Sequence, residues 1–158
     1  RIVVGTGTGA LADTSGTDEI RISAARAANG VTIIGNAGSN RIGGSAFADI
    51  IDGGAGTDMM SGGAGDDIYY VDSSADKVTE SKNGGLDTVY ATATFKLGTN
   101  IEVLVLQGAA NIGGTGNTGN DTIEGNTGAN LIDGGKGDDT LRGNDGRSEE
   151  HTSELQSH

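Results

Sequence analysis

With 158 residues the chain is long enough for one domain, and thirty of them are glycine while proline and cysteine are absent. The lack of cysteine excludes disulfide and thiolate chemistry. A formal charge of −12 argues against nucleic acid or an anionic membrane as partner and for divalent cations, and no apolar run has the length of a transmembrane helix.

Taken in order, Arg1–Leu11 is apolar and then GTGTGA, which reads as a strand and turn continued from a preceding coil. Asp13–Arg21 holds a degenerate nine-residue unit, with Gly16, Asp18 and Ile20 at its fourth, sixth and eighth places. Arg21–Asn29 is alanine-rich, yet its shortness and the β-branched VTII that follows favour another coil over a helix. Residues 1–34 are thus expected to form a degenerate leading coil.

From Gly35 the register is fixed, with units starting at Gly35, Gly44, Gly53, Gly62 and Val71 and no insertion between them. The most regular pair, GGAGTDMMS and GGAGDDIYY, has glycine at the first, second and fourth places (Gly53, Gly54, Gly56; Gly62, Gly63, Gly65). Sixth places through this block, residues 35–79, read Asn40, Asp49, Asp58, Asp67 and Asp76, and eighth places Ile42, Ile51, Met60, Tyr69 and Val78. A flexible glycine linker would share the composition but not this register.

Residues 80–115 interrupt the pattern as a strand-rich apolar spacer, in which Asp87 and Val89 keep a half-motif and ATATFKL and IEVLVLQ read as strands. A second block, 116–146, resumes with units at Gly116, Gly125 and Gly134. Its sixth places are Asp121, Asn130 and Asp139, and its last full unit, GGKGDDTLR, has Gly134, Gly135 and Gly137. Arg147–His158, RSEEHTSELQSH, leaves the repeat mid-unit and resembles a translated sequencing-adapter read; it is expected to be non-biological, and it contains both histidines, His151 and His158. The chain opens at Arg1 without a signal-peptide pattern, so a module of a longer protein is expected.

The nonapeptide divides into a six-residue turn, where glycine permits φ > 0, and a three-residue strand with one apolar side chain facing inward. Two units make a coil, so residues eighteen apart stack at roughly 4.8 Å. The expected fold is all-β, a right-handed parallel β-roll or β-solenoid in two blocks without a substantial helix. Sixth-place aspartates of adjacent coils would stand side by side on the outside, a spacing costly for bare carboxylates and suited to a cation held at about 2.3–2.6 Å from each oxygen.

The pairs are Asp49 with Asp67, Asp58 with Asp76, and Asp121 with Asp139. Asn40, Asp18, Asp87 and Asn130 are weaker ligand candidates, Asn130 because it pairs into the broken unit. Carbonyls of the glycine turns would complete a shell of about 6–8 oxygens. Zinc wants histidine or cysteine and magnesium fewer, stricter contacts, so several calcium ions are expected. A thin core and stacked acids imply a chain that is disordered without metal. Asp66 and Asp138, at fifth places, are expected to brace the turns. Carboxylate pairs that recur along an array do not resemble a single catalytic site, and no catalysis is expected in this fragment. Phe47, Tyr69, Tyr70, Tyr90 and Phe95 are expected in the core or as end plugs rather than as a sugar platform.

The repeats at Gly53–Tyr70 and Gly134–Arg142 resemble the calcium-binding nonapeptide of haemolysin-type RTX proteins. The segment from YYVDSSADKVTE to IEVLVLQG resembles the spacer between their repeat blocks. This resemblance implies a secreted, extracellular or surface protein, exported unfolded by type I secretion machinery and folded by calcium outside the cell. It equally implies two alternatives, an accessory module of a larger secreted enzyme (protease, lipase or alginate epimerase) or a calcium-stiffened spacer of an adhesin. A polysaccharide partner is weakly supported, since Arg21, Arg26 and Arg41 form the only basic cluster.

Overall fold

Each three-residue x-U-x segment forms a short strand, and each glycine-rich turn reverses the chain, so that successive strands fall alternately on two opposite faces. The structure, a computed structural model, describes residues 2–3, 10–12, 16–144 and 149–151, with side chains over 16–144. One face is an eight-stranded parallel sheet, made by Ala10–Ala12, Thr32–Ile34, Ile50–Asp52, Ile68–Val71, Thr88–Ala91, Val103–Leu106, Thr122–Glu124 and Thr140–Arg142. The opposite face holds two sheets. Ile2–Val3, Arg21–Ser23, Arg41–Gly43, Met59–Ser61 and Lys77–Val78 form the first; Phe95–Lys96, Gly114–Thr115, Leu131–Asp133 and Glu149–His151 form the second. All described pairings are parallel, and no described residue is helical. The protein is therefore a β-solenoid, and the alanine-rich Arg21–Asn29 is a coil of it.

Eighth-place side chains fill the interior of the repeat blocks; in the degenerate unit the residue paired into the column is Ile22 rather than the expected eighth-place Ile20, which is only partly buried. Ile33, Ile51, Tyr69, Val89, Leu104 and Ile123 stack in one buried column, and Ile22, Ile42, Met60 and Val78 in a second facing it. Full burial of each such side chain stabilises by about 1.5–3 kcal/mol. Their strand neighbours Ile50 and Met59 point outward, each 40% exposed. At Gly114 the column narrows, because a Cβ there would press on Leu104 and Ile123. Of the aromatics, Tyr69 and Phe95 are core, whereas Phe47 and Tyr70 are exposed and Tyr70 stacks on Tyr90 with ring centroids 5.3 Å apart.

The spacer is threaded through the roll. Thr88–Ala91 and Val103–Leu106 continue the eight-stranded sheet from one block into the other. The irregular sequence reflects coil length: Asp67 and Asp87 are twenty residues apart, Asp87 and Glu102 fifteen, against eighteen in the repeats. On the other face no strand pairing joins Lys77–Val78 to Phe95–Lys96 among the described residues.

The strand expected near the start is present as Ile2–Val3, while the GTGTG turn and most of the tail lie outside the described residues. Within the tail, Glu149–His151 pairs with Leu131–Asp133. No helix among the described residues is long and apolar enough to cross a membrane.

Candidate metal centre

In the GGxGxD turn each glycine answers to a different constraint. Gly54 and Gly56 have φ of +81° and +125°, a region that favours glycine, and a Cβ on either would run into the carbonyl oxygen of Asn36 or Gly38 in the preceding coil. The first glycine is needed for space instead, because a Cβ on Gly53 would lie 2.6 Å from Asp58 Oδ2. The turn therefore curls inward around its own aspartate, with carbonyls of the neighbouring coil pressed into the same gap.

Sixth-place aspartates consequently do not stand on the outside, as the spacing alone suggested. Asp49, Asp58, Asp67, Asp76, Asp87 and Asp121 are 0–6% exposed; all but Asp121 are drawn into the turn by a backbone N–H of the coil before, whereas Asp121 Oδ2 accepts from Asn117 N of its own turn at 2.6 Å. Asn40 N donates to Asp58 Oδ1 at 2.7 Å, Asp49 N to Asp67 at 2.7 Å, Asp58 N to Asp76 at 2.9 Å and Asp121 N to Asp139 at 2.9 Å. The ladder continues into the spacer, where Asp67 N donates to Asp87 Oδ1 at 2.9 Å and Asp87 N to Glu102 Oε2 at 3.0 Å. Sequence reasoning missed Glu102, although it, like Asp87, directly precedes a strand, as the sixth-place residues of the two repeat blocks precede theirs.

One carboxylate oxygen anchors the coil; the other is often left over. Asp58 Oδ2, Asp67 Oδ2, Asp87 Oδ2, Asp121 Oδ1 and Asp139 Oδ2 are buried without a hydrogen-bond partner. Asp49 and Asp76 differ, since Ser45 N reaches Asp49 Oδ2 at 2.6 Å and Ser73 N reaches Asp76 Oδ2 at 3.2 Å. An ionised, buried and unpartnered oxygen is costly. Burial pushes the Asp67 carboxyl up to about 7, opposed by the Asp49 N–H bond and reinforced by the charges of Asp49, Glu80 and Asp87. Burial likewise raises Asp87 and Asp121 to about 6, and raises Asp58. None of the described ion pairs, Arg21–Glu19 and Arg142–Glu124, involves these groups.

Asparagine at the sixth place closes the turn differently. Asn40 Nδ2 is surrounded by four oxygens: Gly38 O at 2.6 Å, Asp58 Oδ1 at 3.0 Å, Gly53 O at 3.1 Å and Asn36 O at 3.3 Å. Asn130 Nδ2 similarly donates to Ile112 O at 2.8 Å and Asn126 Oδ1 at 2.9 Å. An amide nitrogen carrying partial positive charge thus occupies a cage of oxygens. In the aspartate turns a carboxylate oxygen is left without a donor beside turn carbonyls, and oxygen is the donor type a hard cation takes.

The remaining candidates separate. Asp18 is exposed, and it is its carbonyl that enters the neighbouring turn, accepting from Asn36 Nδ2 at 3.0 Å. Asp66 Oδ1 accepts from Leu86 N of the next coil at 2.8 Å, and Asp138 N donates to Asn120 Oδ1 at 2.9 Å. Turn glycines Gly63, Gly65, Gly135 and Gly137 repeat the positive φ of Gly54 and Gly56, while Gly62 and Gly134 repeat the tight fit of Gly53 against its aspartate.

Neither a curated protein nor a solved structure gives a match to the chain. Residues 32–70 and 115–148 match the family model of the RTX calcium-binding nonapeptide repeat, in four copies. Repeats of this family bind calcium, and several copies imply several ions. The matched copies hold Asp58, Asp67, Asp121 and Asp139, four of the aspartates with an unpartnered oxygen, and over these two stretches the chain matches the RTX calcium-binding repeat.

Proposed function

We propose that this chain is the calcium-folded β-roll of a secreted protein, exported unfolded and locked into shape by calcium outside the cell. The observation that carries the reading is the set of buried carboxylate oxygens without partners in Asp58, Asp67, Asp87, Asp121 and Asp139. Each is destabilising in the ion-free roll and becomes a ligand once calcium enters. Turn carbonyls that crowd the next coil, such as those of Asn36, Gly38, Ser45 and Asn117, are positioned to complete the shells. Asp49 and Asp76, with every oxygen engaged, act mainly as coil-to-coil caps. Asn40 and Asn130 hold their turns closed without an ion.

Mass action supplies the switch. An ion present at a hundred times its Kd adds about 2.7 kcal/mol per site. Several such sites outweigh the deficit of a core only one side chain thick per strand, whereas scarce cytosolic calcium leaves that deficit unmet.

Far-UV circular dichroism of the chain, titrated from chelator into millimolar calcium with magnesium as control, tests this. A calcium-specific gain of β signal, weakened in Asp58→Asn with Asp67→Asn, is the expected result. A spectrum already rich in β in chelator would overturn the folding switch.

A further inference from the structure

Where the first repeat block meets the spacer, three carboxylates converge. One oxygen each of Asp67, Glu80 and Asp87 lies within 4.8 Å of the others. Asp67 and Asp87 are fully buried, and Oδ2 of each has no hydrogen-bond partner. Glu80 and Asp87 lie outside the residues matched by the repeat family, and Glu80 occupies no sixth place.

A lengthened coil brings Glu80 there. Twenty residues separate Asp67 from Asp87, and the first sheet ends at Lys77–Val78. In regular coils the first-place N–H reaches a backbone carbonyl of the next coil, as from Gly35 to Asp52 or Gly44 to Ser61. At Gly62 that acceptor is Glu80 Oε1, at 2.8 Å, which also accepts the Tyr69 hydroxyl proton. Glu80 Oε2 accepts from Ser81 N at 3.0 Å and Gly63 N at 3.3 Å. Four donors thus fix a third carboxylate beside two buried ones, and neither described ion pair involves any of the three.

We propose that Asp67, Glu80 and Asp87 form a separate calcium site at the junction of repeat block and spacer, with Glu80 supplying a third negative charge that the repeat turns lack. The site rests on the reading of the repeats as calcium turns, but two of its ligands belong to the spacer. Calcium affinity rises with the charge and rigidity of the ligand set, so this site fills first. Its ion ties the lengthened coil to the first block and gives the second block a folded edge on which to build.

Terbium, a luminescent stand-in for calcium, tests the site in the full chain. Tyr69, hydrogen-bonded to Glu80, is placed to sensitise an ion held there. Terbium emission excited through tyrosine should saturate and be displaced by calcium, and Tyr69→Phe should remove most of it. Glu80→Gln keeps an acceptor for the Gly62 N–H but removes the charge; by calorimetry it should weaken the tightest calcium about tenfold and leave the others. Two results would overturn the junction site alone: calcium binding identical in Glu80→Gln and wild type, or emission unaltered by Tyr69→Phe. If Glu80→Gln does not fold, the terbium comparison decides by itself. A wild-type chain that takes up no calcium would instead remove the reading of the repeats, and the junction site with it.

Discussion

Asn40 Nδ2 sits among four oxygens, while at the sixth place of GGxGxD units a carboxylate oxygen is left without a donor. The two side chains are nearly identical in shape, so the turn distinguishes them by charge. Asn40→Asp should therefore convert an amide-closed turn into an ion-binding one. Calorimetry should count one more calcium per chain, and the ion-free roll should lose about 1–3 kcal/mol or more to a newly buried, unpartnered charge. An unchanged ion count would mean that the oxygen cage is shaped for an amide only. At this scale the sequence showed which residues recur and at what spacing. It did not show that the aspartates point inward, because that depends on the Gly54 and Gly56 backbone and on N–H donors eighteen residues away. Glu80 carried no signal at all, since its place exists only once the lengthened coil has closed.

Strands here are too short to stand alone and depend on stacking. Ile50 and Ile51 make the point within one strand, the first 40% exposed and the second fully buried between Ile33 and Tyr69. Ile51→Ala should cost about 2–5 kcal/mol in denaturant titrations run in calcium, whereas Ile50→Ala should stay within about 0.5 kcal/mol. Equal losses would contradict the inward assignment of the eighth place. The repeat strands were legible because one apolar residue per nine, flanked by glycine turns, has few other readings. The spacer was legible as strands but not as coils: with lengths of twenty and fifteen residues, its periodicity no longer overlaps that of its neighbours.

Across the whole molecule, each coil touches only its neighbours, so stability is a sum of coils and of interfaces between them, with buried acids distributed along the stack. Asp67 raised to about 7, and Asp87 and Asp121 raised to about 6, bind protons more tightly folded than unfolded. Their contribution to ion-free stability is fully present below the ordinary carboxylate range near 4 and is lost as pH rises to about 7. In chelator, the β signal should thus be stronger at pH 4.5 than at pH 7.5. Calcium should reverse the order, its midpoint falling as pH rises, because ligands must lose protons to bind. A chelated chain indifferent to pH would show that the buried acids do not limit folding.

The two faces of the roll are not equally continuous. Eight strands run without a gap along one side, while the other side changes sheets between Lys77–Val78 and Phe95–Lys96. Under tension applied from its ends, such a body is seamed on one flank and whole on the other. It should peel open at that seam first, hinging on the unbroken sheet, and force spectroscopy should then record two rupture events instead of one.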